Sequence, residues 1–186
     1  MTDPTPAVHA VIRAALASGP RCGRTRVVAV DGPSGSGKSV TADLVAAQIA
    51  SLTGVLPQIV HLDDLFPGWD GLPEAVGLLD LWILQPLAVG ADGQYRRYDW
   101  DAGEYAETVA VPATDWLVVE GVTAGAHPKH LAALLWVEAD RDVRMTRGLE
   151  RDGEAYRPHW ERWAIQEAEH FETDRTRERA DAILRT

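Results

Sequence analysis

The string Gly32-Pro33-Ser34-Gly35-Ser36-Gly37-Lys38-Ser39 limits what this chain can become more than any other stretch of it. Its glycines let the backbone curl so that successive N–H groups turn inward, a path closed to most side chains. The run Val27-Val28-Ala29-Val30 just before it has the character of a buried strand, and Val40 to Leu52 after it that of a helix. Between a strand end and a helix start, inward N–H groups make an anion cradle, because the helix dipole adds its positive end at the same point. The spacing fits G-x-x-x-x-G-K-[ST], the P-loop, with Lys38 placed to reach the outer phosphates of a nucleoside triphosphate and Ser39 to ligate Mg²⁺. Gly32, Ser34, Gly35, Ser36, Gly37, Lys38 and Ser39 are therefore the expected ATP-binding residues. The alternative is a Gly/Ser-rich turn that binds nothing, against which the strand before and the helix after both argue.

The rest of the chain repeats that alternation. Val8, Val11, Ile12 and Leu16 recur at helical spacing, and Ser18-Gly19-Pro20 stops the helix. Buried-type strands are expected at Gln58–Leu62, Trp116–Val119 and Leu134–Val137, with a last short one at Ala182–Leu184. Helices are expected at Ala75–Val89, where Pro86 bends or ends the run, and at Asp142–Arg151 and His159–Phe171. Phe66–Pro73 reads as a loop, and Tyr95–Tyr98 and Thr108–Val111 as short extended pieces. Strands alternating with helices predict an α/β fold with a parallel sheet covered on both faces.

A chain of 186 residues, 46% hydrophobic and 25% charged, suits one compact domain spanning 1–186. The net charge of −10 argues against a broad nucleic-acid surface. Cys22 is the single cysteine, so an intrachain disulfide and a Cys-rich metal site are both excluded. Met1 to Ala17 lacks a signal peptide's basic start and apolar run, and no segment has the length of a membrane span. The expectation is a cytoplasmic protein with a small-molecule partner and no membrane or nucleic-acid partner. Homo-oligomerisation stays open.

Carboxylates decide what a triphosphate site does. Asp63 and Asp64 follow the second strand, at the end where open α/β sheets place ligands. A carboxylate there could take the proton of an attacking hydroxyl or help hold a metal; the alternative is a solvated pair capping the loop. Glu120 ends the apolar strand Leu117-Val118-Val119, a Walker-B position for steadying Mg²⁺, or else pairs with a surface arginine. Arg144, Arg147 and Arg151 share one helix face and could neutralise a transferring phosphoryl group or form surface ion pairs.

Taken together, Val30–Ser39, His61-Leu62-Asp63-Asp64-Leu65-Phe66, Arg97-Tyr98-Asp99-Trp100, Val118–Val122, the Arg147–Asp152 segment, Thr176-Arg177 and Ala180–Leu184 occur in an order that resembles the uridine kinase family of P-loop kinases. The resemblance covers most of the chain from Arg26 onward. It implies a P-loop NTPase fold with a five-stranded parallel sheet flanked by helices and a small helical lid at about 144–158. It also implies ATP and Mg²⁺, with the metal held by Ser39, Asp63 and Glu120. Asp63 matches the family's catalytic base, acting with Lys38 and with the lid arginines Arg147 and Arg151. Tyr98, Trp100 and Arg157, together with Asp63, fall where the family holds an acceptor nucleoside of uridine or cytidine type. The pattern departs at Gly103, where relatives carry a base-contacting His, and at Gly148, a lid position that is often Arg. Two rival readings stay open: a kinase for another metabolite, and a nucleotide-binding regulator without an acceptor. Trp69, Trp82 and Trp100 lie on the acceptor side, with core packing the expected role of Trp82.

Overall fold

The computed structural model describes residues 2–153 and 157–186. Five strands form one sheet in the order β2-β5-β1-β6-β7: β1 Arg26–Asp31, β2 Gln58–His61, β5 Trp116–Glu120, β6 Leu131–Glu138 and β7 Ala182–Arg185. Every pairing in it is parallel. The strands are apolar on both faces, as a sheet covered on both sides requires. On one face Val28, Val30, Val118, Leu135 and Val137 pack against α1 (Thr5–Ser18) and α2 (Lys38–Thr53). On the other, Val27, Ala29, Val60, Leu117, Val119 and Leu134 pack with Leu65, Phe66, Leu79 and Trp163. Cys22 is buried there, its thiol donating to the Leu84 carbonyl.

The register sets the site. Val30 and His61 both lie level with Glu120, so β1, β2 and β5 end at one edge. The short helical turn Leu62–Asp64 follows β2 directly and carries both aspartates there.

The expected helix at 75–89 forms in three parts: α3 (Leu72–Leu79), a π-helical turn (Asp80–Leu84) and α4 (Gln85–Ala88). The wider turn lies just ahead of Pro86, which has no N–H to continue the ladder. Leu72 and Pro73, expected in the loop, instead open α3, and Pro is well tolerated in a first turn. The two extended pieces are longer than expected and pair as an antiparallel hairpin, β3 (Gly93–Asp99) with β4 (Glu104–Val111). Gly103 closes its turn at φ 72, with its N–H on the Asp99 carbonyl at 2.7 Å. A left-handed turn position explains why glycine stands there. Helices α5 (Arg141–Asp152) and α6 (Arg157–Asp174) flank residues 154–156, so that part of the expected lid lies outside the described residues. Among the described residues no helix is long and apolar enough to cross a membrane.

Two contacts tie the strand ends together. A Cβ on Gly32, at φ 145, would sit 2.0 Å from the Val137 carbonyl oxygen. Gly32→Ala should therefore lower the unfolding free energy by about 3 kcal/mol or more, read by urea titration. Glu138 accepts Arg177 Nε at 2.7 Å, Arg185 Nη2 at 2.9 Å and Trp136 Nε1 at 2.9 Å. Arg177 first, with Arg185 and Trp136, holds its carboxyl down at about 2, against the opposing effect of burial. A depressed folded pKa stabilises above the unfolded value, and that stability is lost as pH falls through the folded one. Glu138→Gln should cost about 2–3 kcal/mol at neutral pH, with the difference from wild type vanishing between pH of about 4.5 and about 2.

Candidate active site

β1 ends in Asp31, which is fully buried. Its Oδ1 accepts the N–H of Gly32 at 2.6 Å and of Thr123 at 3.1 Å, and its Oδ2 that of Gly125 at 2.8 Å. Burial pushes the Asp31 carboxyl up to about 7, against the pull of those three donors and Lys38. One side chain thus fastens the start of the P-loop to the turn that follows β5.

The loop has the form expected of a phosphate cradle. Gly35 and Gly37 have φ of 76 and 92, and α2 begins at Lys38. Lys38 is mostly buried, with Nζ donating to the Pro33 carbonyl at 3.2 Å. Ser39 Oγ donates to Glu120 Oε1 at 3.1 Å, and the same oxygen lies 2.6 Å from His61 Nδ1. The Glu120 contact raises the His61 pKa, which gives this histidine a structural partner. A cavity of ≈ 270 Å³ opens on the loop, lined by Ser34, Gly35, Gly37, Lys38, Ser39, Asp63, Glu120, Arg147, Gly148 and Arg151 among others.

A second cavity, of ≈ 720 Å³, adjoins it. Its walls include Phe66, Trp69, Tyr98, Trp100 and Trp163, with Asp63, Asp64, Arg97, Asp101, Arg151 and His159. Ser34, Asp63 and Arg151 line both cavities. Asp63 is open to the cleft yet deep between its walls; loss of hydration raises its pKa, opposed by Lys38 and Arg151. The carbonyl of Asp63 accepts Trp100 Nε1 at 2.9 Å, and Tyr95 Oη donates to Asp64 at 3.0 Å. The aspartate turn is thereby bound to the hairpin on its far side.

The structure brings the expected residues together selectively. Gly35, Gly37, Ser34, Lys38, Ser39, Asp63, Glu120, Arg147 and Arg151 gather around the smaller cavity, and Tyr98 and Trp100 line the larger. Ser36 is fully buried inside the loop, and Gly32 sits beneath it against β6. Arg157 opens α6 and is exposed, and it is not among the residues lining either cavity. Arg147 is braced, with Nη1 on Thr186 Oγ1 at 2.8 Å and on the Gly35 carbonyl at 3.4 Å. Arg144 faces the loop, its Nη1 3.9 Å from Oε2 of the buried Glu167. It donates to the Ser34 carbonyl at 3.1 Å and lies over the Trp160 ring, 5.6 Å from its centroid. Asp31 and Glu167 are not singled out by the sequence pattern, although Asp31 stands at the last position of a strand immediately before the first P-loop glycine.

An Mg²⁺ ion would be held by the Ser39 hydroxyl and by the Glu120 and Asp63 carboxylates, an oxygen set that suits it. Among the described residues no group of three or more His, Cys, Asp or Glu side chains could hold a metal by itself.

No protein-family model and no curated protein sequence matches the chain. Solved structures do. A candidate fructose transport system kinase from Silicibacter sp. TM1040 superposes with a TM-score of 0.62 at 17% identity, covering 100% of both chains. A candidate uridine kinase from Bacillus stearothermophilus superposes with a TM-score of 0.58 at 19% identity, covering 86% of this chain and 88% of the other. The chain shares their fold, a five-stranded parallel sheet flanked by helices with the P-loop after its central strand. Within it the cradle and the aromatic cavity lie at the carboxyl ends of the strands, where open parallel sheets bind ligands.

Proposed function

We propose that this chain transfers the terminal phosphate of ATP to a hydroxyl of a small molecule. The observation that supports it most is the junction of the two cavities at Ser34, Asp63 and Arg151. A cradle for phosphate alone needs no second cavity, and a nucleotide-operated regulator needs no carboxylate where the two meet.

On this reading the P-loop N–H groups and Lys38 hold the outer phosphates. Ser39, Glu120 and Asp63 would hold Mg²⁺, which would neutralise charge on the phosphate oxygens when bound. Asp63 sits at the acceptor end of the cradle, orients the acceptor hydroxyl and takes its proton. Arg151 faces both compartments and Arg147 is fixed against the loop, so both can stabilise charge on the moving phosphoryl group.

A uridine- or cytidine-like nucleoside fits a cavity with aromatic walls around Tyr98 and Trp100. A second reading, an alcohol of another class, is favoured by two observations. Gly103 offers no side chain to read a base, and Trp69 already stacks on His159, ring centroids 4.5 Å apart and planes at 3°. ADP release across a panel of nucleosides, sugars and other alcohols separates the two readings.

Asp63→Asn should reduce transfer by about 10²–10⁴-fold. ATP affinity should stay within about twofold of wild type, since other groups make the main phosphate contacts. Near-normal turnover in the variant, with ATP bound, would show that Asp63 is not the base.

A further inference from the structure

One carboxylate stands where a phosphate cradle would be expected to hold none. Glu167 of α6 is 3% exposed. Its Oε1 accepts the backbone N–H of Ser34 at 2.8 Å and Trp163 Nε1 at 2.8 Å. Its Oε2 lies 3.9 Å from Arg144 Nη1. Trp163 Nε1 also reaches Ser34 Oγ at 2.9 Å, so Ser34 is gripped by N–H, hydroxyl and carbonyl together. An N–H of a P-loop is a donor suited to a phosphate oxygen. Here one of them is already held by an anion belonging to the protein.

The position of that anion matters. Ser34 lines both cavities, which puts it at the end of the cradle that faces the acceptor. With a triphosphate seated so that its terminal phosphate points toward the acceptor cavity, that phosphate would come nearest to Glu167 and a diphosphate would stop short of it. The same helix reaches the acceptor side: Gln166 donates to the Trp69 carbonyl at 2.9 Å, and His159 stacks on the Trp69 ring. Residues 159, 163, 166 and 167 recur at spacings that keep them on one side of α6.

We propose that Glu167 is a resident anion of the cradle: a positioning residue that fixes Ser34 from α6, and whose charge restrains binding of the terminal phosphate in particular. This rests on reading Gly32–Ser39 as a triphosphate site. The restraint ties occupancy of that site to the seating of α6, and through Trp69 to the acceptor cavity.

Glu167→Gln tests it, because the amide oxygen can still accept from Ser34 and Trp163 while the charge is gone. Calorimetry with Mg²⁺ and a non-hydrolysable ATP analogue should show binding about tenfold tighter than wild type, with ADP affinity changed by less than about twofold. A role in packing alone would weaken both ligands or shift them equally, and either outcome overturns the proposal. Glu167→Asp, which withdraws the charge by one methylene, should tighten the analogue by a smaller factor and serves if the amide variant fails to fold. Wild-type protein that binds neither nucleotide would contradict the triphosphate reading itself. Wild-type binding without a split between analogue and ADP in the variants contradicts the role of Glu167 alone.

Discussion

The buried carboxylate of Asp31 holds the working edge of this molecule together. Three backbone N–H groups from two separate segments converge on it, one opening the P-loop and two belonging to the turn after β5. Leaving any of those donors unpaired in the interior would cost about 1–3 kcal/mol. A buried carboxylate is itself costly to desolvate, so the arrangement persists only because the partners satisfy it. The consequence is positional. With Gly32 pressed on Val137 and Asp31 tied to residues 123 and 125, the ends of β1, β5 and β6 cannot move independently. Lys38, Ser39 and Glu120 inherit their relative places from that constraint.

From that edge, chemistry is set by which compartment each side chain can see. The P-loop supplies a small cavity rich in donors, and the turn after β2 brings Asp63 to its mouth. The hairpin and α6 then build aromatic walls on the far side, fastened to the turn by Trp100 and to the loop by Trp163. Asp63 sits in the junction, open to the cleft, where loss of hydration disfavours its ionised form and Lys38 and Arg151 support it. The net charge of the whole chain, −10, is compatible with a local anion site built from inward N–H groups and the mostly buried Lys38.

Much of this was legible in the chain itself, for physical reasons that differ from residue to residue. Gly32–Ser39, Asp63 and Glu120 could be placed because each sits at a fixed offset from an apolar strand, and parallel strands end together. Tyr98 and Trp100 stand out as an aromatic pair around an aspartate, and they line the larger cavity. Glu167 has no such offset, and spacing marks Trp163 only as a residue that packs its helix onto the sheet. They reach Ser34 across about 130 residues of sequence, and helical spacing shows that they share a face without showing what the face meets. Arg144 had two readings open because a charged helix looks the same whether its arginines meet water or a loop carbonyl. The π-helical turn before Pro86 was read only as a bend, since a proline announces a missing hydrogen bond but not how the backbone absorbs it.

The central claim is that phosphate held by the cradle is passed to a hydroxyl in the adjoining cavity. The most direct measurement is to incubate the protein with ATP labelled at its terminal phosphate, Mg²⁺ and a mixture of nucleosides and other small alcohols, and to follow the label by mass spectrometry. The account predicts labelled phosphate on an organic acceptor, formed much faster than label appears in inorganic phosphate. Label found only in inorganic phosphate, at a slow rate that no added alcohol changes, would contradict it.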